Sequence, residues 1–123
     1  MIENNNIEYK RQLADSIEKD VVAFLNSFGG EIYIGIDDDG SVFGVDDPDA
    51  VQLALSDRIK NNIRPETLGL FDIHIEEREG KTVIRLFISS GPDKPYYILK
   101  YGRSMKGCYI RVGAAAVPMT EKK

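Results

Sequence analysis

Apolar positions recur along the chain with two different periods, and each change of period marks a new element. Ile7 to Gln12 reads as a short strand after a polar start. From Asp15 the spacing becomes helical: Ile17, Val21, Phe24, Leu25 and Phe28 fall on one face, Asp15 with Glu18 has the pattern of a capping box, and Gly29-Gly30 supplies the stop. Ile32, Ile34 and Ile36 then alternate with Glu31, Tyr33 and Gly35, as a half-buried strand requires, and Asp39-Gly40 turns the chain back over Ser41 to Val45. Asp47-Pro48 opens a second helix, with Asp47 as N-cap and Val51, Leu53, Ala54, Leu55 and Ile59 on its apolar side, ending near Asn61 or Asn62. Ile63-Arg64-Pro65 leads through a loop to a second hairpin, Phe71, Ile73 and Ile75 before the Glu79-Gly80 turn and Val83, Ile84, Leu86 and Ile88 after it. Gly91-Pro92 ends that strand, a loop rich in Lys, Tyr and Gly follows, Cys108 to Val112 forms a last strand, and residues 113–123 read as a tail. This order predicts a single α+β domain, a largely antiparallel or mixed sheet built from hairpins with two main helices packed on it.

Composition narrows the chemistry more than it changes the fold. At 123 residues and 42% hydrophobic the chain suits one domain with its own core, without linker or repeat. No apolar run approaches the ~20 residues of a membrane span, and MIENNNIEYK lacks the regions of a signal peptide, so no membrane and a cytoplasmic location are expected. A single cysteine, Cys108, excludes an internal disulfide and a thiolate-rich zinc site; a single histidine, His74, excludes a histidine metal cluster. Cys108 has no activating partner in sequence and reads as a buried inert thiol, and alternation puts His74 with Asp72 and Glu76 on the polar side of a strand. The glycines between Phe28 and Gly35 end a helix and open a strand, the reverse of a phosphate cradle, and no G-x-x-x-x-G-K-[ST] occurs, so ATP is not an expected ligand. No serine has a G-x-S-x-G setting, which leaves carboxylates as the groups available for catalysis.

Charge is laid out unevenly beneath a formal net charge of -4. Asp37, Asp38, Asp39, Asp46, Asp47 and Asp49 lie in a stretch without a basic residue, whereas Arg85, Lys94, Lys100, Arg103, Lys106 and Arg111 share theirs with Asp93 alone. Tyr96, Tyr97, Tyr101 and Tyr109 are threaded among these cations. Cations neutralise phosphates and aromatic rings stack on bases, so this half is the candidate nucleic-acid surface, DNA or RNA, although tyrosines also serve ordinary strands. Glu3, Glu8 and Asp37 to Asp39 form a second candidate if the first strand pairs beside Ile32 to Ile36: hard oxygen ligands with Lys10 nearby would suit Mg²⁺ or Mn²⁺. From the residues alone, turn and solubility roles are the simpler account of the same acids.

Several segments together resemble the AlbA-type domain of the Schlafen family, found at the N-terminus of prokaryotic transcriptional regulators. The resemblance rests on Ile7-Glu8-Tyr9-Lys10, on Ala23 to Gly30 running into Ile34-Gly35-Ile36-Asp37-Asp38, on Gly40 to Gly44, Ile63-Arg64-Pro65 and Lys94-Pro95-Tyr96-Tyr97, and on Tyr109-Ile110-Arg111-Val112-Gly113. It implies a nucleic-acid-binding module, the N-terminal fragment of a longer regulator, with Arg85, Lys94, Tyr96, Tyr97, Lys100, Arg103, Lys106, Tyr109 and Arg111 as its contacts. It also implies an alternative, a Mg²⁺- or Mn²⁺-dependent endoribonuclease in which Glu3, Glu8 and Asp38 hold the metal and Lys10 stands beside them. A third reading is a dimerisation or protein-interaction module. Ala114-Ala115-Ala116 departs from the hydroxyl residues usual in the family at this point, and the single lobe, where Schlafen cores have two, suggests a homodimer.

Overall fold

The computed structural model describes residues 6–102 and 107–119, and its elements follow the alternation of apolar periods closely. They run β1 (Ile7–Lys10), α1 (Ile17–Leu25), β2 (Gly30–Ile34), α2 (Pro48–Asn62), β3 (Ile63–Arg64), β4 (Phe71–Arg78), β5 (Lys81–Ile88), β6 (Tyr97–Ile98), β7 (Tyr109–Val112) and β8 (Ala115–Pro118). β1, β2, β5 and β4, in that order, form a four-stranded sheet in which β1 is parallel to β2 and the other pairings are antiparallel. The α+β class with a mixed, mostly antiparallel sheet is therefore as the sequence predicts.

One face of this sheet makes the core. Ile32 and Ile34 of β2 and Ile84, Leu86 and Ile88 of β5 are buried against Ile17, Val21, Phe24 and Leu25 of α1 and Leu55 and Ile59 of α2. The parallel register sets Glu8 beside Ile32 and Lys10 beside Ile34, so both charged groups point to the helix side, while Tyr9 joins Tyr33, Ile36 and Val83 in a small cluster on the other. Beyond that cluster the second face is polar: Arg85 is held between Glu31 and Glu76, each 2.9 Å away, and His74 lies 3.0 Å from Asp72.

α1 is apolar on more than one side because it is enclosed. Val22 and Ala23 are as buried as Val21 and Phe24, since β7 and β8 pack across the helix surface turned away from the sheet. The expected tail is thus a strand: β8 pairs with β7 from Tyr109↔Pro118 to Val112↔Ala115. Ala115 and Ala116 carry little strand signal of their own, and the pairing depends on β7 being held against α1.

Other expectations are corrected locally. β1 ends at Lys10, short of Gln12, where the Lys10 carbonyl accepts the N–H groups of Gly35 and Ile36. The capping box does not form, because Ser16 is the N-cap without a side-chain bond and the Glu18 carboxylate goes to Arg58 and Asn62 of α2. Phe28 lies past the end of α1 and is 95% exposed; the chain turns at Gly29, φ 78°, whose N–H returns to the Phe24 carbonyl at 3.0 Å. A side chain at Gly30 would run into the Phe24 ring, which is why the second glycine follows. Leu53 is 64% exposed and does not join the core. Ser41 to Val45 makes a single bridge, Ile36↔Val42, because Gly44 and Val45 turn away to the Gly35 and Thr82 carbonyls. Ile63-Arg64 pairs with Tyr97-Ile98 as β3 and β6. The second helix is as read, with Asp47 accepting the Ala50 N–H at 3.3 Å and Pro48 in the first turn.

Candidate nucleic-acid interface

Packing β7 across α1 creates a concave strip on the helix side of the molecule. At the Tyr109 end a cleft of about 610 Å³ opens between the start of α1, the end of α2 and the turn Leu99–Tyr101. Lys19 stands over the Tyr109 ring at 5.7 Å, and Lys100 over the Tyr101 ring at 5.2 Å. On the floor, Glu18 is held by Arg58 and Asn62; burial raises its pKa, but these donors outweigh it and keep the carboxyl below its ordinary range. The floor charges thus cancel, whereas the lysines sit beside aromatic faces at the wall. At the other end of β7 a shallower hollow of about 390 Å³ is lined by Asn26, Ser27, Phe28, Ser90, Lys94, Ile110 and Arg111. The Lys94 ammonium is anchored there, 2.7 Å from both Ser90 Oγ and the Gly91 carbonyl.

Asn26 fixes these walls to the core. Its Oδ1 accepts the Tyr96 N–H at 2.6 Å, and its Nδ2 donates to the carbonyls of Tyr96 and Tyr109, each at 2.9 Å. Ser27 adds a bond from the Arg111 N–H to its Oγ at 2.9 Å. Two residues just past the end of α1 therefore position the segments leading into β6 and β7.

Under β7 lies a row of charges. Arg111 donates to Glu8 at 2.7 Å, Glu8 is 3.5 Å from Lys10, and Lys10 is 3.0 Å from Asp20. Burial acts to lower the Lys10 pKa, but Asp20 and Glu8 prevail and raise it; for Asp20 burial prevails over Lys10 and pushes the carboxyl up. The Arg111 side chain is 3% exposed and covers the Phe24 ring at 4.5 Å, so it serves the interior rather than a phosphate.

The basic candidates therefore separate. Lys94, Lys100 and Tyr109 share the strip along β7, and Tyr97 is half-buried in β6. Tyr96 is fully buried, its hydroxyl accepting the Asp93 N–H, and has no ring face open to a base. Arg85 lies on the opposite face of the sheet, where it donates to the carboxylates of Glu31 and Glu76 and its pKa is raised by them. Glu3, Arg103 and Lys106 fall outside the described residues. Lys19 and Phe28 are not among the sequence's candidates, and Tyr101 is there only as one of the tyrosines threaded among the cations; Lys19 lies far from the basic segment in the chain and reaches it through the fold.

Of the candidate metal site, Glu8 lies beside Lys10, and Asp38 lies on the exposed turn after β2. Among the described residues no group of three His, Cys, Asp or Glu side chains is placed to hold a metal ion. Glu8 already faces two cations, so the described residues by themselves do not fit a divalent ion.

A four-stranded mixed sheet with two helices on one face and a strand pair over the first helix defines the class of fold. The chain belongs to the Schlafen, AlbA_2 family, whose pattern it matches over residues 3–120. It is similar to the DIP2311 protein of Corynebacterium diphtheriae, with a TM-score of 0.69 and 17% identity, over 94% of this chain and 22% of that one. It is also similar to the N-terminal domain of an ATP-dependent DNA helicase RecG-related protein of Nitrosomonas europaea, TM-score 0.63 and 22% identity, covering 96% of this chain and 80% of that domain. No curated protein matches it. No helix among the described residues is long and apolar enough to cross a membrane.

Proposed function

We propose that this domain binds nucleic acid, DNA or structured RNA, along the strip beside β7, as part of a transcriptional regulator. The observation that carries the reading is the cleft in which Lys19 and Lys100 stand against the rings of Tyr109 and Tyr101. Ammonium groups there meet phosphates, and the rings offer faces to unstacked bases. Lys94 and the exposed Phe28 extend the strip, and Arg103 and Lys106 belong to the segment joining Gly102 to Gly107. Membership of the Schlafen, AlbA_2 family agrees with this reading.

The test is binding of labelled hairpin RNA and duplex DNA to the chain, to Lys19→Glu with Lys100→Glu, and to Lys81→Glu on another part of the surface. Loss of affinity in the first variant and retention in the second supports the reading; equal affinity in all three overturns it. The family resemblance implies a second reading, the Mg²⁺- or Mn²⁺-dependent endoribonuclease with Glu3, Glu8 and Asp38 as ligands, which requires Glu8 to give up its bonds to Arg111 and Lys10. Cleavage of tRNA with Mn²⁺ that Glu8→Gln and EDTA both abolish supports it, and intact RNA counts against it.

A further inference from the structure

We infer that β4 is the edge through which a second copy of this chain adds on, joining the two sheets antiparallel about a twofold axis at Ile75. β4 is hydrogen-bonded to β5 and ends the sheet order, so its other edge is the rim. The Ser89 N–H bonds the Leu70 carbonyl at 2.8 Å, which fixes the phase of the ladder: even-numbered residues of β4 pair with β5, and Phe71, Ile73, Ile75 and Glu77 turn their backbone groups outward. The odd positions are therefore the ones that can exchange hydrogen bonds with another strand.

The sequence of this edge, FDIHIEER, is self-complementary when read antiparallel about Ile75. On the polar face Asp72 then opposes the partner's Arg78 and His74 opposes the partner's Glu76, and the twofold repeats both pairs. On the helix face Ile75 meets the partner's Ile75, and each Ile73 lies diagonal to the partner's Ile75 and opposite the partner's Glu77. Ile75 is 42% exposed in the single chain and would be covered. Moving the axis to His74 sets Asp72 against the partner's Glu76, and moving it to Glu76 sets that carboxylate against its own copy; the Ile75 axis sets no two like charges opposite each other. A long rim strand with outward apolar residues is also what isolated domains otherwise avoid.

Sedimentation and crosslinking test this. The chain should sediment as a dimer at tens of micromolar. Asp72→Arg and Arg78→Asp should each weaken the dimer roughly tenfold or more, because each turns two opposed pairs into like charges, and the double exchange should restore it. Under mild oxidation Ile75→Cys should form a disulfide-linked dimer, as directly opposed strand positions lie within disulfide reach. Ile73→Cys should link far less. A monomer at tens of micromolar, no rescue by the double exchange, or stronger linkage through Ile73→Cys than through Ile75→Cys would each overturn it.

Discussion

Asn26 shows how much of the interface depends on single side chains. Its amide ties the chain near Tyr96 and Tyr109 to the end of α1 through three bonds, so Asn26→Ala leaves backbone groups of two segments without partners. The expected cost is roughly 2–4 kcal/mol, read from urea unfolding; a loss under about 0.5 kcal/mol would contradict that role. Glu18 provides a second test. Its carboxyl lies below the ordinary 4.5 in the folded chain, so its stabilisation is present above that value and is lost as pH falls through the lower folded value. Stability should decline on acidification through this range, and Glu18→Gln should be less stable at neutral pH with a flatter acid limb. Residue identity alone separated these roles poorly. Tyr96 and Tyr109 look alike among the lysines, yet one is core and the other lines the cleft, because burial is set by neighbours distant in sequence.

At the scale of elements, what was legible was local. The start of α2 follows from Asp47-Pro48, and Asp47→Ala should cost about 1 kcal/mol in thermal or urea unfolding, as loss of an N-cap does. The β4–β5 hairpin follows equally from its alternation and its Glu79-Gly80 turn. β8 and the β3–β6 pair were not legible: each is short, and each depends on a surface supplied from elsewhere in the chain. The β7–β8 pair also explains why α1 is apolar nearly all round. Removing residues 114–123 should therefore speed amide exchange in α1 well before it affects β4 and β5, as hydrogen-exchange mass spectrometry can follow. Uniform exchange across both regions would show that β8 does not cover the helix.

Over the whole molecule, the charge asymmetry of the sequence becomes two surfaces. The acid-rich turn after β2 and the Glu31–Arg85–Glu76 network are separate from the strip along β7, where Lys19 and Lys100 meet aromatic rings and Lys94 lines the shallower hollow. The basic half of the chain was readable as a segment; its division by the sheet, which removes Arg85 from the others, and the arrival of Lys19 from α1 were not, since both are consequences of packing. The measurement that bears most directly on nucleic-acid binding along this strip is the slope of log affinity against log salt for a hairpin RNA and a duplex DNA. The account predicts a steep negative slope for the chain, made shallower by roughly two phosphate contacts in the Lys19→Glu, Lys100→Glu variant. A slope near zero, or one unchanged in the variant, would contradict it.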